Sequence, residues 1–202
     1  MRKLESRGTE EKRRKRNQLI IGLILVFVML ISVLGYGFQT QEDPNTDSTK
    51  VEYNGYTFTA DNSGYWLLKI GNADFYFRNN PNEVNASNSV VPLLNSYSGK
   101  PLYIYSESQE SELELYRNLD NFILRRQYAC LDLGNNTLDT AAAINCSDEL
   151  PLKTCEDNFL IIEEAIEFDV YSIDNCVFIK GPKNELIKAT DEFLFKTLGI
   201  RE

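Results

Sequence analysis

Phe159-Leu160-Ile161-Ile162, Phe168-Asp169-Val170-Tyr171-Ser172 and Cys176-Val177-Phe178-Ile179-Lys180 are short apolar runs rich in β-branched and aromatic residues. They read as consecutive strands, and Gly181-Pro182 ends the last of them. Pro182 also suits the first turn of a following helix. That helix sets Leu186, Ile187, Ala189, Thr190, Phe193, Leu194, Thr197 and Leu198 on one side. Glu185, Lys188, Asp191, Glu192 and Lys196 fall mostly on the other, and Gly199 is the stop. Strands closed by an amphipathic helix that covers their sheet predict an α+β fold.

Working back along the chain, Pro101-Leu102-Tyr103-Ile104-Tyr105-Ser106 is a strand and Arg125–Leu131 another. A helix lies between them, which makes a β-α-β unit. Ser108 or Ser111 can cap it, and Ser111-x-x-Glu114 fits a capping box. Leu113, Tyr116, Leu119 or Asp120, and Ile123 are spaced for its apolar face. A short helix is expected near Val90–Leu94. Further upstream, Val51-Glu52-Tyr53 and Tyr56-Thr57-Phe58 flank Asn54-Gly55, the strongest two-residue hairpin signal. Gly64–Ile70 and Ala73–Arg78 continue as strands about Gly71-Asn72. The aromatics Tyr53, Tyr56, Phe58, Trp66, Phe75 and Phe77 admit a sugar-stacking platform. The expectation is a sheet face packed on a helix.

The four cysteines, Cys130, Cys146, Cys155 and Cys176, are spaced 16, 9 and 21 residues apart. No Cys-x-x-Cys pair occurs, so the spacing lacks the knuckles of a zinc site. An even count in an exported domain predicts two disulfides. If the last three strands run up-down-up, Cys155 and Cys176 meet at one end of the sheet. That favours Cys155–Cys176 with Cys130–Cys146. The alternative is Cys146–Cys155 with Cys130–Cys176. Asn85 and Asn135 head Asn-x-Ser/Thr triplets and are the candidate glycosylation sites. Asn145 heads another, but it adjoins Cys146.

No charge occurs between Arg16 and Glu42, and Leu19–Phe38 is almost wholly apolar. As a helix it would span about 30 Å, the thickness of a bilayer core. Residues 1–18 carry eight Lys/Arg and three Glu, a net of +5. Residues 39–202 carry thirteen Lys/Arg and twenty-seven Asp/Glu, a net of −14. The positive-inside rule places the N-terminus in the cytoplasm and the acidic part outside. A cleaved signal peptide is the rival reading. The expected organisation is a basic cytoplasmic tail at 1–18, a transmembrane helix at 19–38, a stalk at 39–50 and an extracytoplasmic α+β domain at 51–202. That domain is expected to hold a mixed sheet, the C-terminal amphipathic helix and two disulfides.

The chain has no histidine, which excludes Ser-His-Asp, Cys-His and His-based zinc chemistry. An acidic domain repels phosphate, so nucleic acid is not expected as a partner. The lipid bilayer and a cell-surface protein are. No cofactor is expected. Glu163-Glu164, Glu167 and Asp169 form the densest acidic cluster. Paired carboxylates can do acid/base work, but such a run also describes a solvated hairpin tip.

The basic start, the Ile20-Ile21-Gly22-led apolar run, Glu52-Tyr53-Asn54-Gly55-Tyr56-Thr57-Phe58 and Phe75-Tyr76-Phe77-Arg78-Asn79-Asn80-Pro81-Asn82 form a pattern. So do Leu150–Cys155, Asn175–Gly181 and Leu186–Phe195. Together they resemble a group of small membrane-anchored archaeal surface proteins. The resemblance implies the anchored topology and a place at an archaeal cell surface. It lends no catalytic residue. The leading expectation is a membrane-tethered binding or assembly domain. The alternatives are a carboxylate-dependent hydrolase and a pilin-like subunit, although Asn17-Gln18 offers no pilin processing site.

Overall fold

A computed structural model describes residues 16–29, 49–132 and 149–202. The chain separates into two units, residues 1–47 and 48–202.

In the first unit, helix α1 covers residues 16–29. Its large apolar side chains are all exposed, from 48% at Ile20 to 73% at Met29. A helix of this length rises only about 20 Å. Among the described residues no helix is long and apolar enough to cross a membrane. The second half of the expected span, 30–38, lies outside the described residues, as do 1–15 of the tail and 39–48 of the stalk.

The second unit begins with a four-stranded antiparallel meander, sheet A: β1 (Lys50–Tyr53), β2 (Tyr56–Ala60), β3 (Trp66–Ile70) and β4 (Ala73–Phe77). Lys50, assigned to the stalk by sequence, already pairs with Thr59. Asn54 and Gly55 both have positive φ, 47° and 81°. Both central positions of a type I′ turn require this, and Asn-Gly supplies it at little strain. Phe58, Leu68, Phe75 and Phe77 point to the covered face and are buried. The aromatic face is therefore core, packed on a helix through Phe195, and not an open platform.

Sheet B has the order β10-β11-β9-β5-β6. Its strands are β5 (Pro101–Ser106), β6 (Arg125–Tyr128), β9 (Phe159–Glu164), β10 (Asp169–Ile173) and β11 (Cys176–Gly181). Helix α2 (Gln109–Leu119) joins β5 to its parallel neighbour β6. The expected strand Arg125–Leu131 is divided: β7 (Cys130–Leu131) leaves sheet B and pairs with β8 (Leu152–Lys153). The helix expected near Val90–Leu94 is a single 3-10 turn at Leu94–Ser96. The last three strands do alternate in direction, but β11 inserts between β9 and β10. Residues 165–168 therefore cross over the end of β11 and are not a hairpin tip. Central β9 is apolar on both faces, and Phe159 to Ile162 are fully buried, as a covered parallel strand requires.

Helix α3 (Leu186–Thr197) packs on β9, β10 and β11 on one side and on sheet A on the other. It is thus covered on both sides. Asp191 and Glu192, expected on the polar side, are fully buried, and Lys196 nearly so. The burial of the two carboxylates is tolerable because donors reach them from the loop after β4. Asp191 Oδ2 accepts from the backbone and side-chain N–H groups of Asn79, at 2.9 and 2.8 Å. Glu192 Oε1 accepts from the Ser87 backbone at 2.9 Å, and its other oxygen meets Arg201.

Candidate functional site

Helix α2 starts at Ser108, whose hydroxyl accepts from the Ser111 backbone. The Ser111–Glu114 capping box is not used. Ser111 lies inside the helix, and Glu114 is turned inward. The buried face is Ser111, Glu114, Leu115, Asn118 and Leu119. The face expected from apolar spacing included Leu113, which is 53% exposed. The physical reason is the open edge of β4. Asn118 Oδ1 accepts from the Tyr76 backbone at 2.8 Å, and its Nδ2 donates to the Tyr76 carbonyl at 2.7 Å. Glu114 Oε1 accepts from the Arg78 backbone at 2.8 Å. Polar residues turn inward to finish that strand edge, and the rotation carries Leu113 out to solvent.

Two tyrosine–arginine stacks flank Leu113. On one side, Asp61 holds the Tyr65 backbone through its carboxylate at 2.8 Å. The Arg117 guanidinium lies 4.2 Å from the Tyr65 ring centre and donates to its hydroxyl at 3.1 Å. Arg78 approaches the same ring at 5.1 Å. Arg117 also pairs with Glu114 at 2.5 Å. Among the described residues no ion pair engages Arg78. Tyr65, Arg78, Glu114 and Arg117, with Glu110, Leu113 and Ile187, line a cleft of about 140 Å³. On the other side, Arg126 stacks on Tyr116 at 3.8 Å and pairs with Asp120. Glu112 accepts from both the Tyr116 and Tyr128 hydroxyls. Burial first, and then the Glu112 carboxylate, hold the Tyr116 hydroxyl far above its ordinary pKa. It stays a neutral donor. Leu124 and Tyr128, 67% and 50% exposed, extend the surface.

Beneath the cleft, Glu114 and Asp191 face each other. Burial, and the Glu114 charge beside it, push Asp191 well above the usual carboxylate range. Burial likewise raises Glu114, against the opposing pull of Arg117. Asp191 Oδ1 has no donor when both groups are ionised. A proton shared by the pair supplies the missing bond.

The acidic cluster seen in the sequence does not converge. Glu163 is buried and pairs with Lys180, while Glu164 points to the opposite face of β9 and pairs with Lys183 at 3.2 Å. Glu167 sits on the crossing loop, and Asp169 opens β10, beyond β11. Among the described residues no group of His, Cys, Asp or Glu is arranged to hold a metal ion.

Cys155 and Cys176 form a disulfide, with Cα atoms 4.9 Å apart. Cys176 is level with Phe159 in the register of β9 and β11, and Asn175 donates to the Cys155 carbonyl at 3.0 Å. This bond excludes the Cys146–Cys155 and Cys130–Cys176 alternative. Cys130 is also disulfide-bonded. Cys146 lies outside the described residues, as does Asn135. Asn85 is exposed, but Ser87 of its triplet is buried.

The residues around α2 drew no attention as a site in the sequence, because Tyr65, Arg78, Arg117 and Arg126 come from separate elements. The one local signal was Leu113 beside Glu114 in a helix with few apolar residues. Comparison of the chain with family models, with curated proteins and with solved structures finds no match to any of them.

Proposed function

We propose that the chain is a membrane-tethered surface module that binds another protein through the exposed face of α2. The observation that carries the reading is Leu113, set outward between two tyrosine–arginine stacks. Tyrosine and arginine around an exposed aliphatic residue are the composition of binding hot spots. Residues 48–202 carry thirteen Lys/Arg and twenty-four Asp/Glu, a net of −11. On this face Arg117 and Arg126 are paired with Glu114 and Asp120, so among the described residues Arg78 is the cation left to meet an acidic group of the partner.

The tether rests on the apolar run after Arg16 and the basic residues before it. The Cys155–Cys176 disulfide supports an oxidising location for the folded unit. The N-terminus is then cytoplasmic and residues 48–202 lie outside.

Two measurements test this on the full chain in its own membranes. An impermeant protease on intact cells should degrade the C-terminal unit and spare an N-terminal tag. A photo-crosslinking residue in place of Leu113 should capture a polypeptide far more strongly than one in place of Glu156, which is exposed at the other end of sheet B. Equal capture at the two positions overturns the binding-face reading, and a protected C-terminal unit overturns the topology.

A further inference from the structure

We propose that the partner is a second copy of this chain, and that the knob filling the α2 cleft is the crossing loop 165–168, led by Ile166. This rests on the reading of the α2 face as a binding surface and names its occupant. Ile166 is 96% exposed. Its loop is not slack. Ala165 donates to the Gly181 carbonyl at 2.8 Å, and Phe168 packs into the core beside Gly181. A loop anchored at both ends, turning one apolar side chain inward and the other fully outward, presents a preorganised knob. Glu167 and Asp169 beside it are exposed carboxylates.

The socket matches in size and sign. Leu113, Ile187 and the Tyr65 ring are the apolar part of its lining, Arg78, Glu110, Glu114 and Arg117 are the charged part, and its volume is about 140 Å³. A space of roughly 150 Å³ takes a benzene-sized group, so the cleft has room for one aliphatic side chain. Arg78 on the rim offers the acidic residues around the knob a guanidinium engaged by no ion pair among the described residues. Glu110 is the like charge on that rim, and it provides a control of opposite sign. Knob and socket are different patches of one chain. The contact is therefore heterologous, and copies add head to tail. Tethering to one membrane raises the effective concentration, so a weak contact suffices.

The test places a photo-crosslinking residue at Ile166 in the full chain in its membranes. The expected products have masses at multiples of the chain, with the adduct mapping to residues 110–117 or to Ile187 of another copy. Arg78→Glu and Glu167→Arg should each cut the yield about tenfold, the two together should restore it, and Glu110→Gln should raise it. Both arginine and glutamate positions are exposed, so recovery in the double variant separates a contact from a folding defect. Absence of chain multiples, or a yield indifferent to Arg78→Glu, overturns the proposal. If Leu113 captures a different protein while Ile166 captures none, self-association falls and the binding face stands. If neither position captures anything, both fall.

Discussion

Asn118 completes the outer edge of β4 as a neighbouring strand would: its side chain accepts from the N–H of Tyr76 and donates to the carbonyl of the same residue. Edge strands left open are sites of unwanted pairing, and here a helix side chain closes one. Asn118→Leu keeps similar bulk but removes both bonds. It should cost about 1–3 kcal/mol, the range for leaving a buried partner unsatisfied. Asn118→Asp keeps the acceptor for Tyr76 N–H but sets a carboxylate against the Tyr76 carbonyl, and should cost at least as much. Denaturant midpoints with an unchanged slope check both. Midpoints equal to the parent's would remove Asn118 from the strand edge.

The Glu114–Asp191 pair gives a pH dependence of defined sign. Both groups have folded-state pKa values raised, chiefly by burial, above unfolded values near 4. Their contribution to stability is fully present below about pH 4 and is lost as pH rises through the raised values. Asp191→Asn keeps an oxygen for Asn79 and turns an N–H towards Glu114, so it stands in permanently for the protonated acid. The variant should melt above the parent at neutral pH, and the gap should close as pH falls to about 4. Parallel melting curves against pH would show that the pair does not titrate.

The rotation of α2 makes a second, opposite pair of expectations. Leu115 is fully buried, and Leu113 is 53% exposed. Leu115→Ala should destabilise by about 2–5 kcal/mol through the cavity it leaves. Leu113→Ser should stay within about 0.5 kcal/mol, as surface changes do, while weakening capture at the α2 face. Thermal melts of the two variants settle the rotation, and a reversed order of cost would restore the apolar face read from spacing.

Strands were legible wherever alternation or continuous burial left its mark, as in Asn54-Gly55 and in β9. Helices α2 and α3 were legible in position, and the expected apolar side of α3 is mostly buried. The rotation of α2 was not legible, nor was the burial of Asp191, Glu192 and Lys196 on the other side of α3. Periodicity assumes that charged residues face water, whereas Glu114, Asp191 and Glu192 meet donors from the segment 78–87, up to 112 residues away in sequence for Asn79 and Asp191. The insertion of β11 between β9 and β10 is likewise a matter of strand order, which no local pattern carries. That insertion turned a presumed hairpin tip into the crossing loop that exposes Ile166. The arginine–tyrosine face was not legible for the same reason, since its members meet only after α2 packs on α3, β4 and β5.

Arg201 tests how far the buried acids depend on their partners. Its guanidinium pairs with fully buried Glu192 and donates to the Pro81 carbonyl, to Val84 O at 3.4 Å and to the Tyr53 hydroxyl at 3.1 Å. It thereby ties the chain end to sheet A and to the loop after β4. Burial alone raises Glu192, and Ser87 N–H and Arg201 oppose the rise. Arg201→Ala leaves Ser87 N–H as the main remaining donor to Glu192, so its pKa should climb further. Breaking a buried pair by removing one partner costs about 3–5 kcal/mol, and that loss is expected at neutral pH. The same variant should recover part of it in acid, where Glu192 takes up a proton and no bare charge remains. Arg201→Lys cannot span four acceptors with one ammonium group and should recover little. Adding Glu192→Gln to Arg201→Ala should relieve most of the neutral-pH loss, because the double variant buries an amide in place of an unpaired carboxylate. A double-mutant cycle by denaturant unfolding at neutral and acid pH measures this coupling, and additive costs at both would show that the two residues act independently.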